Sequence, residues 1–238
     1  MTRVADFRRD DPRGASCSPE PVVSRALQYS AEELSGLGGA AFDSGSARLH
    51  MLLAQVPGKP SRQHQRAACR FLLGRLLETE LEASGRRRSL ANWSLRKSRA
   101  GAPRLLCDGQ RSNLDLSVSH SGRWVAVALG QDVKVGVDVE RDRDFRDVAA
   151  LADYMGWAQR VDNANDFLIR WTLWEACVKL EESSVFSRSN AAFEALEGSK
   201  PRGLIQSCGR WIALGVREPG EVLATVALQL SGKNTCST

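Results

Sequence analysis

The chain has 238 residues, 42% of them hydrophobic and 26% charged, with 33 Lys+Arg against 28 Asp+Glu for a formal net charge of +5. That composition belongs to a folded globular protein and excludes a collagen, a coiled coil and a fully disordered chain. No apolar run reaches the roughly 18 to 20 residues that cross a bilayer, and the charged amino terminus has no apolar core behind it, so a cytoplasmic protein of one large or two small domains is expected.

Residues 1–28 mix Arg, Asp, Ser and Pro without periodicity and read as a loosely ordered extension. After Pro60, Ser61 is a good N-cap, and Ala68, Phe71, Leu72, Leu76 and Leu77 recur at helical spacing until Gly85 can end the helix. Arg62, Arg66, Arg70 and Arg75 occupy its polar side. Leu114, Leu116 and Val118 then alternate with polar residues, Ser121-Gly122 breaks the chain, and Trp124 to Leu129 reads as a second strand. In Val133-Lys-Val-Gly-Val-Asp-Val-Glu140 the valines take every second position, so Asp138 and Glu140 share the opposite face. A helix near Ala149 to Trp157 and a stronger one from Asp166 to Glu182 follow. The second sets Glu175 four residues before Lys179. Trp211 to Val216 and Val222 to Leu228 form a hairpin pattern around Glu218-Pro-Gly-Glu221. Strands and helices mixed without βαβ alternation give an α+β architecture.

Charge is uneven. From Arg86 to Arg111 eight basic residues face one acid, Asp108, a local +7 that leaves the rest of the chain slightly acidic. Such a patch suits an anionic ligand, an acidic protein surface or nucleic acid. The cysteines at 17, 69, 107, 177, 208 and 236 and the histidines at 50, 64 and 120 are too scattered for a local zinc site, and the thiols read as small hydrophobes or free thiols. No P-loop or dinucleotide fingerprint is present.

Asp138 and Glu140 on one strand, with Glu175 brought across on a helix, have the character of a Mg²⁺ site, since this hard cation takes oxygen ligands and completes its shell with water and phosphate. Ser119-His120-Ser121-Gly122 leaves a strand at a tight turn where an imidazole, hydroxyls and backbone amides can meet a phosphate. Lys179 adds a cation one turn from Glu175. Together these are parts of a phosphoryl-transfer site.

Ser117-Val-Ser-His-Ser-Gly-Arg-Trp124, Val135-Gly-Val-Asp-Val-Glu140 and Trp171-Thr-Leu-Trp-Glu-Ala-Cys-Val-Lys179 resemble, in order and interval, the three motifs of the 4′-phosphopantetheinyl transferases of the surfactin-synthetase type. Ala100-Gly-Ala-Pro103 is similar to the family's Gly-x-Pro element near the adenine, and Arg70-Phe-Leu-Leu-Gly74 to its helix with a phosphate-binding arginine. The resemblance covers roughly residues 60 to 230.

It implies transfer of the phosphopantetheine arm of coenzyme A to a serine of an apo carrier protein, with release of adenosine 3′,5′-bisphosphate, by a cytoplasmic monomer. Asp138, Glu140 and Glu175 would hold Mg²⁺, and Glu175, or a water it orients, would take the serine proton. Ser119 and His120 would contact phosphate, Lys179 the pyrophosphate and Arg70 the 3′-phosphate, with Gly101 and Pro103 lining the adenine pocket. The implied fold is two similar α+β halves related by a pseudo-twofold axis, here 29–125 and 126–230, with a tail at 231–238 and coenzyme A between the halves. The family's third motif carries Lys where this chain has Trp174, and Ala102 stands where Lys or Arg is frequent. This departure leaves open a catalytically weakened homologue that binds coenzyme A or a carrier protein. A nucleic-acid-binding protein using Arg86 to Arg111 is the further alternative.

Overall fold

The structure is a computed structural model that describes residues 20–22, 34–44, 47–85, 89–98, 101–141, 147–157, 161, 163–181, 206–208, 211–218 and 222–230. Within the expected extension, Glu20–Pro21 forms a short strand, β1, and Val22 is buried. The rest of 1–28, and the tail 231–238, lie outside the described residues.

The first unit pairs strands β2 (Ser35–Ser44) and β3 (Ala47–Gln55) with a long helix, α1 (Arg62–Ala83). Ser61 caps α1 reciprocally with His64: the hydroxyl accepts the His64 amide, and the Ser61 amide donates to the imidazole Nδ1. A small sheet follows, built from β4 (Trp93–Lys97), β5 (Pro103–Cys107) and β6 (Gln110–Arg111), with β1 paired to β4. The described part of the basic segment, from Trp93 on, therefore folds largely as a sheet: Trp93, Leu105 and Cys107 turn inward, while Arg96, Lys97 and Arg111 stay exposed. Strands β7 (Leu114–Ser121) and β8 (Trp124–Gln131) complete an antiparallel sheet in the order β2-β3-β8-β7.

At Asp132 the chain crosses to a second sheet through β9 (Val133–Arg141). Helices α2 (Val148–Met155) and α3 (Ala164–Leu180) and strands β10 (Gln206–Cys208), β11 (Trp211–Glu218) and β12 (Val222–Leu230) follow. That sheet runs β10-β11-β12-β9, antiparallel throughout. Asn163 caps α3, and Gly156 ends α2 in the left-handed region at φ 71°.

Alternation decides the layers. Val133, Val135, Val137 and Val139 of β9 meet Leu49, Met51, Leu53, Ala126 and Ala128 of the first sheet in one buried cluster, so the two sheets pack face to face. On the outer face of the first sheet, α1 buries Leu72, Leu73, Leu76 and Leu77 against Val125, Val127 and Leu129. Each such side chain contributes about 1.5–3 kcal/mol, which holds a helix whose other side is charged. The buried Glu80 accepts both Nε and Nη2 of Arg48, and Arg48 also meets Gln131, tying α1 to the ends of β3 and β8. On the outer face of the second sheet α3 buries Phe167, Trp174, Ala176, Cys177 and Val178, with Phe167 tilted against Trp157 and stacked on Trp171. The result is helix, sheet, sheet, helix: a mixed α+β architecture with three helices among the described residues.

Candidate active site

The even-numbered face of β9 looks toward α3, and Gly136 sets how close the two come. A Cβ there would lie 1.9 Å from the Ala176 carbonyl oxygen and 2.7 Å from the Leu180 amide, so strand and helix touch backbone to backbone. Glu175 and Lys179, beside those two contact residues, are thereby delivered to Asp138, the next residue on that face of the strand. Beneath them, the buried Thr172 of α3 and Thr225 of β12 share a 3.0 Å hydrogen bond, and Thr225 is the register partner of Asp138.

Asp138 is 2% exposed. Its Oδ1 accepts Lys179 Nζ at 2.6 Å and Ser119 Oγ at 2.8 Å. Lys179 Nζ also donates to Ser119 Oγ at 3.0 Å and to the Val137 carbonyl at 3.1 Å, and stands 3.8 Å from Glu175 Oε2. Burial, then the charge of Asp138, pushes the Glu175 carboxyl up to about 8, with Glu140 adding to the effect and Lys179 opposing it. Burial acts to lower the Lys179 ammonium, but Asp138 and Glu175 outweigh it and hold the ammonium above its ordinary value. The structure thus brings Asp138, Glu175 and Lys179 into one cluster, with Glu140 close enough to be felt.

The donor set is hard carboxylate oxygen, which suits Mg²⁺. Asp138 Oδ2 adds a further sign of fit, being buried with no N–H donor, while the Glu175 carboxyl shares a hydrogen bond with Asp138. Among the described residues, however, no three Asp, Glu, His or Cys side chains close into a metal cage, and the cation beside Asp138 is the Lys179 ammonium.

Ser119 and His120 lie at the carboxyl end of β7. The Ser119 hydroxyl is engaged with Asp138, Lys179 and the Val139 amide. His120 is half-buried, and burial, then Lys179 and Arg62, lowers its pKa, so the ring is neutral at pH 7. Arg62 opens α1 beside this turn, and Gln65 of the same helix donates to the Gly122 carbonyl at 2.8 Å. Arg70 is half-buried two turns further along, about 12 Å from Arg62 at 1.5 Å per residue. Sequence reading singled out Arg70 for phosphate and passed over Arg62, whose placement depends on how α1 lies across the β7–β8 turn.

The Gly101-Pro103 element stands apart from the acids. Gly101 is exposed at φ 84° in a turn closed by the Ser98 hydroxyl and backbone, and Pro103 opens β5. Pro103 lines a cleft of about 360 Å³ with Arg104, Arg111, Asp115, Asp132 and Lys134. The cleft adjoins the Asp115 end of β7, four residues or about 13 Å from Ser119.

Trp174 is 2% exposed and packed in the α2–α3 cluster, so it faces the core while Glu175, the next residue, faces β9. Burial pushes the Cys177 thiol up to about 12, the range of a packing residue. No helix among the described residues is long and apolar enough to cross a membrane.

No family model matches the chain. Over 149 residues, 58% of its length, the chain is 30% identical to a Haemophilus influenzae protein named "Putative 4′-phosphopantetheinyl transferase", and it spans 61% of that relative. Similarity and motifs support the same conclusion: the chain resembles the 4′-phosphopantetheinyl transferase superfamily.

Proposed function

We propose that the chain moves the 4′-phosphopantetheine arm of coenzyme A onto a serine of an apo acyl or peptidyl carrier protein, with Mg²⁺, releasing adenosine 3′,5′-bisphosphate. The observation that carries this reading is the meeting of Glu175 and Lys179 with Asp138 and Ser119, residues from three separate motifs, around one buried carboxylate. The relative's name supports the same transfer.

In the proposed reaction the carrier serine oxygen attacks the phosphorus that bears the pantetheine arm, and the bond from that phosphorus to the bridging oxygen breaks. Glu175 takes the serine proton, a role that needs it ionised, so the acids around it must be neutralised by a cation. Bound Mg²⁺ would supply that neutralisation and offset charge on the diphosphate, held by Asp138 and Glu175 with Glu140. Lys179, whose three donors go to Asp138 Oδ1, Ser119 Oγ and the Val137 carbonyl in the structure, would give up one of these bonds to meet a diphosphate oxygen. His120, neutral and flanked by Lys179 and Arg62, offers a hydrogen bond in a locally cationic corner suited to phosphate. In this reading the α1 and α3 units are the family's two related halves, and the exposed Arg96, Lys97 and Arg111 suit an acidic carrier.

The test is incubation with coenzyme A and a panel of apo carrier proteins, with and without Mg²⁺, followed by intact-protein mass. The expected result is a Mg²⁺-dependent gain of one phosphopantetheine. Coenzyme A binding without any such gain would reduce the chain to a binding protein.

A further inference from the structure

Strands β7 and β9 belong to different sheets and lie side by side without backbone pairing. Their junction is made instead by side chains. Asp115 Oδ2 and the hydroxyls of Ser117, Ser119 and Ser121 accept the amides of Val135, Val137, Val139 and Arg141 at 2.9, 3.0, 3.3 and 3.5 Å. Every rung joins residues 20 apart, so the polar face of β7 satisfies the free edge of β9 in strict alternation.

Two of the rungs continue to a carboxylate. Ser119 Oγ donates to Asp138 Oδ1 at 2.8 Å, and Ser121 Oγ donates to Glu140 Oε2 at 2.7 Å. In each case the hydroxyl accepts the amide that follows the acid it serves, closing a small ring between one serine and one acidic residue. The direction of the donor is therefore fixed by the strand that carries the acid. A serine hydroxyl has one proton and two lone pairs. Ser119 spends the proton on Asp138 and the lone pairs on Val139 and Lys179, which leaves its side chain no donor for a phosphate oxygen.

We propose that Ser119 and Ser121 are positioning residues that aim Asp138 and Glu140 from the neighbouring strand, with Ser119 doing so instead of contacting phosphate through its hydroxyl. This inference rests on reading those acids as ligands of a divalent ion. A donor fixed on one carboxylate oxygen selects the rotamer that turns the carboxylate toward the cation, as hydrogen-bonded partners of metal ligands commonly do. Ser117 is the internal control: it makes the same rung to Val137, is equally buried, and touches no acid.

The test is Mn²⁺ binding to the full chain, read from the loss of the free-ion paramagnetic resonance signal, with thermal unfolding alongside. Ser119→Ala and Ser121→Ala are expected to weaken Mn²⁺ binding about 10- to 100-fold. Ser121→Thr, which keeps the hydroxyl at a half-buried site, is expected to bind as wild type. Ser117→Ala is expected to lower the unfolding midpoint yet leave Mn²⁺ affinity unchanged. Should Ser119→Ala fail to fold, Ser121→Ala decides alone. Unchanged Mn²⁺ affinity in the two alanine variants, or equal weakening by Ser117→Ala, would overturn the positioning role while leaving the metal centre standing. A wild-type chain that takes up no Mn²⁺ would remove the metal centre and this inference with it.

Discussion

The Ala176 carbonyl oxygen lies where a Cβ on Gly136 would have to stand, 1.9 Å away. Backbone cannot yield as a side-chain tip can, so Gly136→Ala must push α3 off β9. We expect an overpacking cost of about 1–3 kcal/mol or more, seen as a lower unfolding midpoint. Divalent-ion binding should also be lost beyond what the stability loss explains, because Glu175 and Lys179 move with the helix. A variant with wild-type midpoint and ion affinity would show that the contact does not set the site.

Trp174 fills the core behind the site, and a lysine at this position, as in the motif the chain resembles, is a poor fit to that packing. Trp174→Lys is expected to cost about 3–5 kcal/mol through the lost aromatic volume and a poorly solvated ammonium. It should lower transfer activity in proportion to the folded fraction. Urea unfolding beside the transfer assay checks this, and a stable variant with increased turnover would show that position 174 addresses the ligand.

Glu175 titrates near 8 in the folded, cation-free chain, against 4.5 for its ordinary value. The folded state therefore holds a proton that the unfolded chain has released between those values. Its contribution to stability is complete below about pH 4.5 and is lost as pH rises through about 8. Without divalent ions the unfolding midpoint should fall across that window, and Glu175→Gln should flatten the fall. Mg²⁺ binding at pH 7 should release a proton, measurable by calorimetry in buffers of different ionisation enthalpy. A flat wild-type profile would contradict the assignment.

Arg62, rather than Arg70, is the α1 arginine whose charge reaches His120. Arg62→Ala is expected to weaken coenzyme A binding about three- to tenfold, equivalent to about 0.7–1.4 kcal/mol, and to reduce its salt dependence. Arg75→Ala, which removes only an exposed pair with Glu78, should change neither. Equal effects at both positions would make the α1 contribution a diffuse field.

The parts of this architecture written as periodicity were legible. Alternating valines placed Asp138 and Glu140 on one face of β9, but burial does not alternate with them, because α3 covers Gly136 and Asp138 on that face. Ser61, the leucine stripe of α1 and the aromatic stripe of α3 fixed two helices to within two residues of their ends. Strand β2 went unread because Gly38, Gly39, Ala40 and Ala41 carry little strand preference until they pair with Leu53, Leu52, Met51 and His50 of β3. In β4 and β5 the arginines masked Trp93, Leu95 and Leu105, whose inward face matters more than their neighbours' charge. The serine ladder, the burial of Trp174 and the approach of Arg62 to His120 arise only when separate elements are packed together. No spacing within one element encodes them.

The most direct test of the central claim compares Asp138→Ala and Glu175→Ala with wild type in Mg²⁺-dependent transfer to an apo carrier protein, read by intact mass. Each variant is expected to fold, with a drop in rate of about a hundredfold or more for Glu175→Ala, the proton acceptor, and with Asp138→Ala also requiring far more Mg²⁺. Either variant transferring at the wild-type rate and the wild-type Mg²⁺ concentration would contradict that claim.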